Sequence, residues 1–175
     1  LLRRGAGHVV AVDVGYGQIA WRLREDPRVT VLERTNVRTL DPAAVAPAPG
    51  LVVGDLSFIS LTLVIPSLVR AAAAEADFLL LVKPQFEVGR ERLGAGGVVR
   101  DTRLHAETVM AVSACARSHG LDVLAAIASP LPGPAGNVEY FLHMRAGSGQ
   151  EPDGGLESAV RSAIATGPAG KEARK

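Results

Sequence analysis

Phe78-Leu79-Leu80-Leu81-Val82-Lys83-Pro84 sets five consecutive apolar residues directly before the only lysine in the first 170 positions. A short apolar run without polar alternation, stopped by a proline, reads as a strand buried on both faces, as in parallel sheets covered by helices. The neighbouring segments follow the same rule. His8–Val14, Val29–Glu33 and Leu51–Leu56 upstream, and Leu121–Ala128 and Val138–Met144 downstream, read as further strands. Between them, helical periodicity predicts helices over Gly15–Glu25, Ser60–Ala76 and Leu104–Ser118, with a short final helix over Leu156–Ala165. Strands alternating with helices predict an α/β fold with a mostly parallel sheet and helices on both faces.

Composition supports one globular domain. The 175 residues are 47% hydrophobic, with 19 basic against 18 acidic side chains. A chain of this length buries roughly 70% of its unfolded surface, so a core needs no disulfide or structural metal. Cys115 alone can form neither an internal disulfide nor a metal cluster, and so thiol-poor a composition fits a reducing cytoplasm. No segment approaches the roughly 20 apolar residues of a membrane span, because Thr62, Pro66 and Ser67 interrupt Leu61–Val69; this disfavours pore-forming and anchored classes. A net charge of +1 gives no general attraction to nucleic acid, so any such affinity has to be local. Leu1-Leu2-Arg3-Arg4-Gly5 reads as the last turn of a helix ending at glycine, and the chain is expected to begin partway into its domain.

In wound sheets ligands bind where strands end. Asp13, Asp55, Lys83 and Glu139 occupy such ends. Asp13 suits the hydroxyls of a ribose or the cap of a following helix, and both readings stand. Asp55 follows Gly54, which allows close approach to the backbone, though a helix-start role is also open. Lys83 is the most informative: 16 of the 19 basic residues are Arg, and Lys171 and Lys175 lie in the last five positions. A partly buried ammonium can become a base, which a guanidinium cannot. Glu139 sits in an otherwise apolar strand, where a charge is costly unless paired or at a sheet edge. Two carboxylates and a lysine gathered at one sheet end form a proton-handling site. His8, His105, His119 and His143 lack metal-ligand spacing, so no metal site is expected.

A rival reading exists. Gly15-x-Gly17-x-x-Ala20 with Glu33 matches the dinucleotide-binding fingerprint and its ribose-binding acid. Against it, nothing downstream resembles a hydride-transfer site, and the Asp/Lys/Glu set goes unexplained.

Five ordered motifs carry a more specific likeness. They are Val12-Asp13-Val14-Gly15-Tyr16-Gly17-Gln18, Leu32-Glu33-Arg34-Thr35-Asn36, Asp55-Leu56-Ser57-Phe58-Ile59-Ser60, Val82-Lys83-Pro84-Gln85-Phe86-Glu87, and Ser129–Pro134 with Gly136–Phe141. Together they resemble the TlyA (hemolysin A) family of FtsJ-like ribosomal RNA ribose methyltransferases, over residues 1 to about 145. The resemblance implies a Rossmann-like fold and S-adenosyl-L-methionine as cofactor. It also implies methylation of a cytidine 2′-hydroxyl in rRNA by a Lys-Asp-Lys-Glu tetrad, whose last three members match Asp55, Lys83 and Glu139. By the same resemblance Asp13 binds the cofactor ribose and Thr35-Asn36 lies near the adenine. The expected organisation is a partial methyltransferase domain over 1–146, without its first strand, then a linker, short helix and disordered tail over 147–175. The expected setting is the cytoplasm, with rRNA or ribosomal subunits as partners and no membrane. A catalytically silent RNA- or ribosome-binding module is the second reading. Arg90, Arg92, Arg100 and Arg103, around the Gly-rich segment beside Lys83, are the candidate RNA-phosphate contacts.

Overall fold

The computed structural model describes residues 1–133, 135–147, 152 and 154–169. Val9–Val12 (β1) and Val29–Leu32 (β2) pair in parallel, with Val9 opposite Val29 and Val12 opposite Leu32. The crossover between them holds one helical turn, Trp21–Arg24 (α1), in place of the longer helix expected from Gly15. Gly17 at φ 72° and the polar tie of Asp13 to the Gly15 amide keep residues 14–19 in turns. The N-terminal Leu2–Arg4 forms a 3₁₀ turn closed by Gly5 in the left-handed region, as the glycine there predicted.

Leu51–Gly54 (β3) and Asp77–Val82 (β4) form a second parallel pair. The helix expected between them is divided into a 3₁₀ turn over Leu61–Leu63 and Ile65–Ala71 (α2). Pro66 lacks an amide hydrogen and is tolerated only in the first turn of a helix, so α2 starts beside it. After the short Pro84–Glu87 (α3) and the long Thr102–Ser118 (α4) come Leu121–Ala128 (β5) and Tyr140–Ala146 (β6). The sheet order is β3-β4-β6-β5, with β6 antiparallel to both neighbours. The fold is α/β as expected, but this half of the sheet is mixed. Among the described residues no helix lies between β5 and β6, and their connection is too short to return the chain to the far end for parallel pairing.

The main core lies between the four-stranded sheet and its helices. Phe78, Leu80 and Val82 of β4 meet Val109, Val112 and Ala116 of α4, whose three- and four-residue spacing makes one helical face. Leu156–Thr166 (α5) adds Val160 and Ile164. Ala169, expected in the disordered tail, is buried, while residues 148–151, 153 and 170–175 of the expected linker and tail lie outside the described residues. A smaller cluster of Leu40, Val45 and Ala71 receives Val10, Val12 and Leu32 from the first pair.

The β1–β2 pair and the β3–β4–β6–β5 sheet are separate ladders. An apolar groove of about 430 Å³ lies between them, lined by Val9, Val10 and Val12 on one side and Leu51, Val52 and Val53 on the other.

Candidate active site

All three proposed catalytic residues come to one end of the four-stranded sheet, and the strand directions explain why. Asp55 follows the last residue of β3 and Lys83 the last residue of β4. Because β6 runs antiparallel, its first residue, Tyr140, pairs with Val82, and Glu139 and Lys83 lie one step beyond that pair. Lys83 is 9% exposed and Glu139 5%, whereas the Asp55 side chain is 73% exposed. The Lys83 ammonium lies 2.6 Å from Asp55 Oδ1 and donates to Ser57 Oγ at 3.1 Å. Glu139, whose charge was expected to be paired or at a sheet edge, is buried and accepts at Oε1 from Gln85 Nε2 at 3.0 Å. Phe58, 91% exposed with φ 62°, has its ring centroid 5.1 Å from that of Phe86 beside this cluster.

At the ends of β1 and β2 lie the residues proposed for the cofactor. Asp13 Oδ1 accepts from the Gly15 amide at 2.6 Å, so this carboxylate caps a turn rather than a helix. Thr35 Oγ1 donates to the Glu33 carbonyl, and Asn36 Oδ1 accepts from the Arg38 amide, opening a 3₁₀ turn. Glu33, the acid of the dinucleotide reading, has a side chain only 8% exposed, bound by the Gly17 amide and by Arg24, both at 2.7 Å. The Arg24 guanidinium holds the Glu33 carboxyl below the usual range. That acid is committed to its own loop. The second oxygen of Asp13 and the exposed amide of Asn36 are of a chemistry that fits the ribose and base end of an adenosine-bearing cofactor.

The four arginines divide into two pairs. Arg92 bonds Glu107 and the Val88 carbonyl, and Arg103 pairs with Asp101. Arg90 and Arg100 are exposed and enter no ion pair among the described residues. The segment carrying them is latched to the start of β6. Asn137 Oδ1 accepts from the Val99 amide and its Nδ2 donates to the Gly97 carbonyl, while the buried His105 bridges the Val99 carbonyl and the Tyr140 hydroxyl. Sequence reasoning missed Ser57, Gln85 and Asn137; the available signal was a polar residue inside each of the three motifs around Asp55, Lys83 and Glu139. Among the described residues no group of three or more His, Cys, Asp or Glu could hold a metal ion, and no helix is long and apolar enough to cross a membrane.

A solved S-adenosylmethionine-dependent methyltransferase from Methanosarcina mazei superposes with a TM-score of 0.52 at 12% identity, over 79% of this chain and 82% of that one. The architecture is therefore the Rossmann-like fold of S-adenosylmethionine-dependent methyltransferases. A closer likeness, 35% identical with a TM-score of 0.89, is to a Streptococcus thermophilus chain carrying a hemolysin designation; it covers 99% of this chain and 62% of that one. The 16S/23S rRNA (cytidine-2′-O)-methyltransferase TlyA of Mycobacterium tuberculosis is 57% identical over 169 residues, 96% of this chain. Hemolysin A of Brachyspira hyodysenteriae is 33% identical over 82% of this chain and 60% of its own length. The FtsJ-like methyltransferase model matches residues 1–146, and the chain belongs to that family. It spans 63% of the length of the mycobacterial relative.

Proposed function

We propose that the protein carrying this chain transfers a methyl group from S-adenosylmethionine to the 2′-hydroxyl of a cytidine in ribosomal RNA, in the cytoplasm. The observation that carries this reading is Lys83, a buried ammonium fixed by Asp55 and Ser57 at a strand end, opposite Glu139 one step beyond the Val82–Tyr140 pair. Relatives named as rRNA cytidine-2′-O-methyltransferases support the substrate class.

A ribose hydroxyl is a weak nucleophile at neutral pH, so positioning and proton removal carry the catalysis. When bound, S-adenosylmethionine supplies an electrophilic methyl on a sulfonium. Asp13 would accept from the hydroxyls of the cofactor ribose, and Asn36 would hold its adenine. Lys83 handles the 2′-hydroxyl proton, as base or by stabilising the alkoxide. Asp55 and Ser57 fix the lysine in line, and Glu139 holds the hydroxyl from the opposite strand. A requirement for the 2′-hydroxyl restricts the acceptor to RNA.

The test is single-turnover methyl transfer by the full-length polypeptide. Lys83→Ala should cut the rate by about 10²–10⁴-fold with cofactor affinity unchanged. Its cost in stability should stay below about 2 kcal/mol, because Asp55 is exposed and water can solvate it once the lysine is gone. Lys83→Arg keeps the charge but cannot accept a proton, so a fully active Arg variant would reject the base role. Undiminished transfer by Lys83→Ala would reject the site.

A further inference from the structure

We infer that Gln85 is a positioning residue for methyl transfer, acting through Glu139; this rests on the catalytic reading of Glu139 above. Gln85 is carried on the first turn after Lys83, and its Nε2 donates to Glu139 Oε1 at 3.0 Å. The opposite end of the same amide is anomalous. Gln85 Oε1 is buried and has no hydrogen-bond partner, a lone case among the described side chains. A buried acceptor without a donor is disfavoured, and native proteins keep few of them. Turning the amide over would not cure this, because it would set a carbonyl oxygen against the Glu139 carboxylate. Glu139 therefore dictates the orientation of Gln85, and the chain tolerates an orphaned carbonyl to keep an N–H on that carboxylate.

Glu139 also depends on the glycine at position 133. A Cβ there would lie 2.8 Å from Glu139 Oε1, closer than real Cβ atoms come, so only glycine leaves this oxygen its place. The room left by Gly133 and the amide of Gln85 thus bear on the same oxygen, Oε1, leaving Oε2 for the acceptor hydroxyl. The loop that presents Gly133 is itself tied to the strand, since the Gly133 amide donates to the Asn137 carbonyl at 2.8 Å and the Ser129 amide to the Glu139 carbonyl at 2.8 Å. The carboxylate is held by groups that do not touch the substrate. A misplacement of about 1 Å in such a site costs on the order of 10²-fold in rate.

The experiment compares Gln85→Ala, Gln85→Glu and Gly133→Ala in the full-length polypeptide by steady-state and single-turnover methyl transfer, cofactor binding and thermal melting. Gln85→Ala should lower kcat by about 10- to 10²-fold with KM for cofactor and RNA within about twofold, as expected when only placement is lost. Gln85→Glu, which exchanges the donor for a second carboxylate, should lose more than Gln85→Ala. Gly133→Ala, which displaces Oε1 from the other side, should reproduce the same kcat-only loss. Wild-type kcat in Gln85→Ala and Gln85→Glu, or a loss matched by equal changes in melting temperature and cofactor affinity, would overturn the assignment. If the wild-type protein moves no methyl group, the catalytic reading fails. The Gln85 link is then read by NMR: one Gln85 side-chain amide proton should lie downfield and lose that shift in Glu139→Ala. An unshifted proton would reject the link itself.

Discussion

Arg90 and Arg100 offer exposed guanidinium groups in the segment that follows α3, while Arg92 and Arg103 already hold Glu107 and Asp101. A phosphate contact by either of the latter trades one partner for another, so the two pairs should differ in binding. Measured as the dependence of RNA affinity on salt, Arg90→Ala and Arg100→Ala should each flatten the log–log slope by up to about one unit, the value of one lost phosphate contact. Arg92→Ala and Arg103→Ala should flatten it less. Four identical slopes equal to wild type would remove this segment from the RNA interface. His105 makes a different kind of prediction. Burial pushes its imidazole below the ordinary value of about 6.5, and its two nitrogens are occupied by Val99 and Tyr140. A depressed folded-state value means that the unfolded chain binds the proton more readily, so this stabilisation is complete above about 6.5 and declines as pH falls below it. Thermal melts from pH 8 to 5 should show that decline, and His105→Gln should blunt it; an unchanged profile would contradict the buried-neutral state.

The β4–β6 ladder carries its own acid-sensitive pin. Asp77 and Arg145 face each other across the antiparallel pair, and His143 reaches the same carboxylate from two residues away on one face. Arg145, then His143, hold the Asp77 carboxyl down to about 2. Stability from this group is present above the unfolded carboxylate value of about 3.9 and is lost as pH falls toward about 2, a loss that Asp77→Asn should remove from an acid titration. Two strands of this sheet, β5 and β4, were the most legible elements, whereas β6, expected over Val138–Met144, runs two residues later, over Tyr140–Ala146. Leu121–Ala128 is a strand over its full expected length, and Phe78–Val82 needed one more residue at its start, because unbroken β-branched and aliphatic runs have no helical alternative of that length. Helices were read too long wherever side chains offered the backbone another partner. Ser60 accepts from the Thr62 amide, and Glu87, whose burial raises its carboxyl above the ordinary range, takes Ser60 Oγ and the Leu61 amide, which starts a 3₁₀ turn where a helix was expected. Asp13 does the same at Gly15. The site was legible as residue types at strand ends, but not as pairings. That Glu139 answers to Gln85 rather than to Lys83 depends on side-chain reach, which spacing does not encode.

For the whole molecule, the division into a two-strand and a four-strand ladder sets the order of local stability. Two-stranded pairs are marginal, while β6 has a neighbour on each side and buries Tyr140, Leu142 and Met144. Hydrogen exchange should therefore be slowest in β6 and β4 and fastest in β1 and β2; uniform protection would contradict this. With Asp13 and Asn36 as the proposed contacts to ribose and base, the 175-residue chain alone should bind S-adenosylmethionine weakly by calorimetry. Tight stoichiometric binding would refute that, and tighter binding of NAD would revive the dinucleotide reading. The facing of Lys83 and Glu139 across an antiparallel ladder also governs how the sequence can drift. Residues can be gained or lost in the loop between α3 and the Gly97–Val99 latch, or in the turn before Gly133, without moving either side chain from its partner strand. A single residue inserted within β6 is different: strand side chains alternate faces, so it would reverse every position beyond it relative to β4. Length variation among related chains should accordingly collect in the loops and avoid β6, where only changes that preserve odd–even parity keep the inward and outward faces in place.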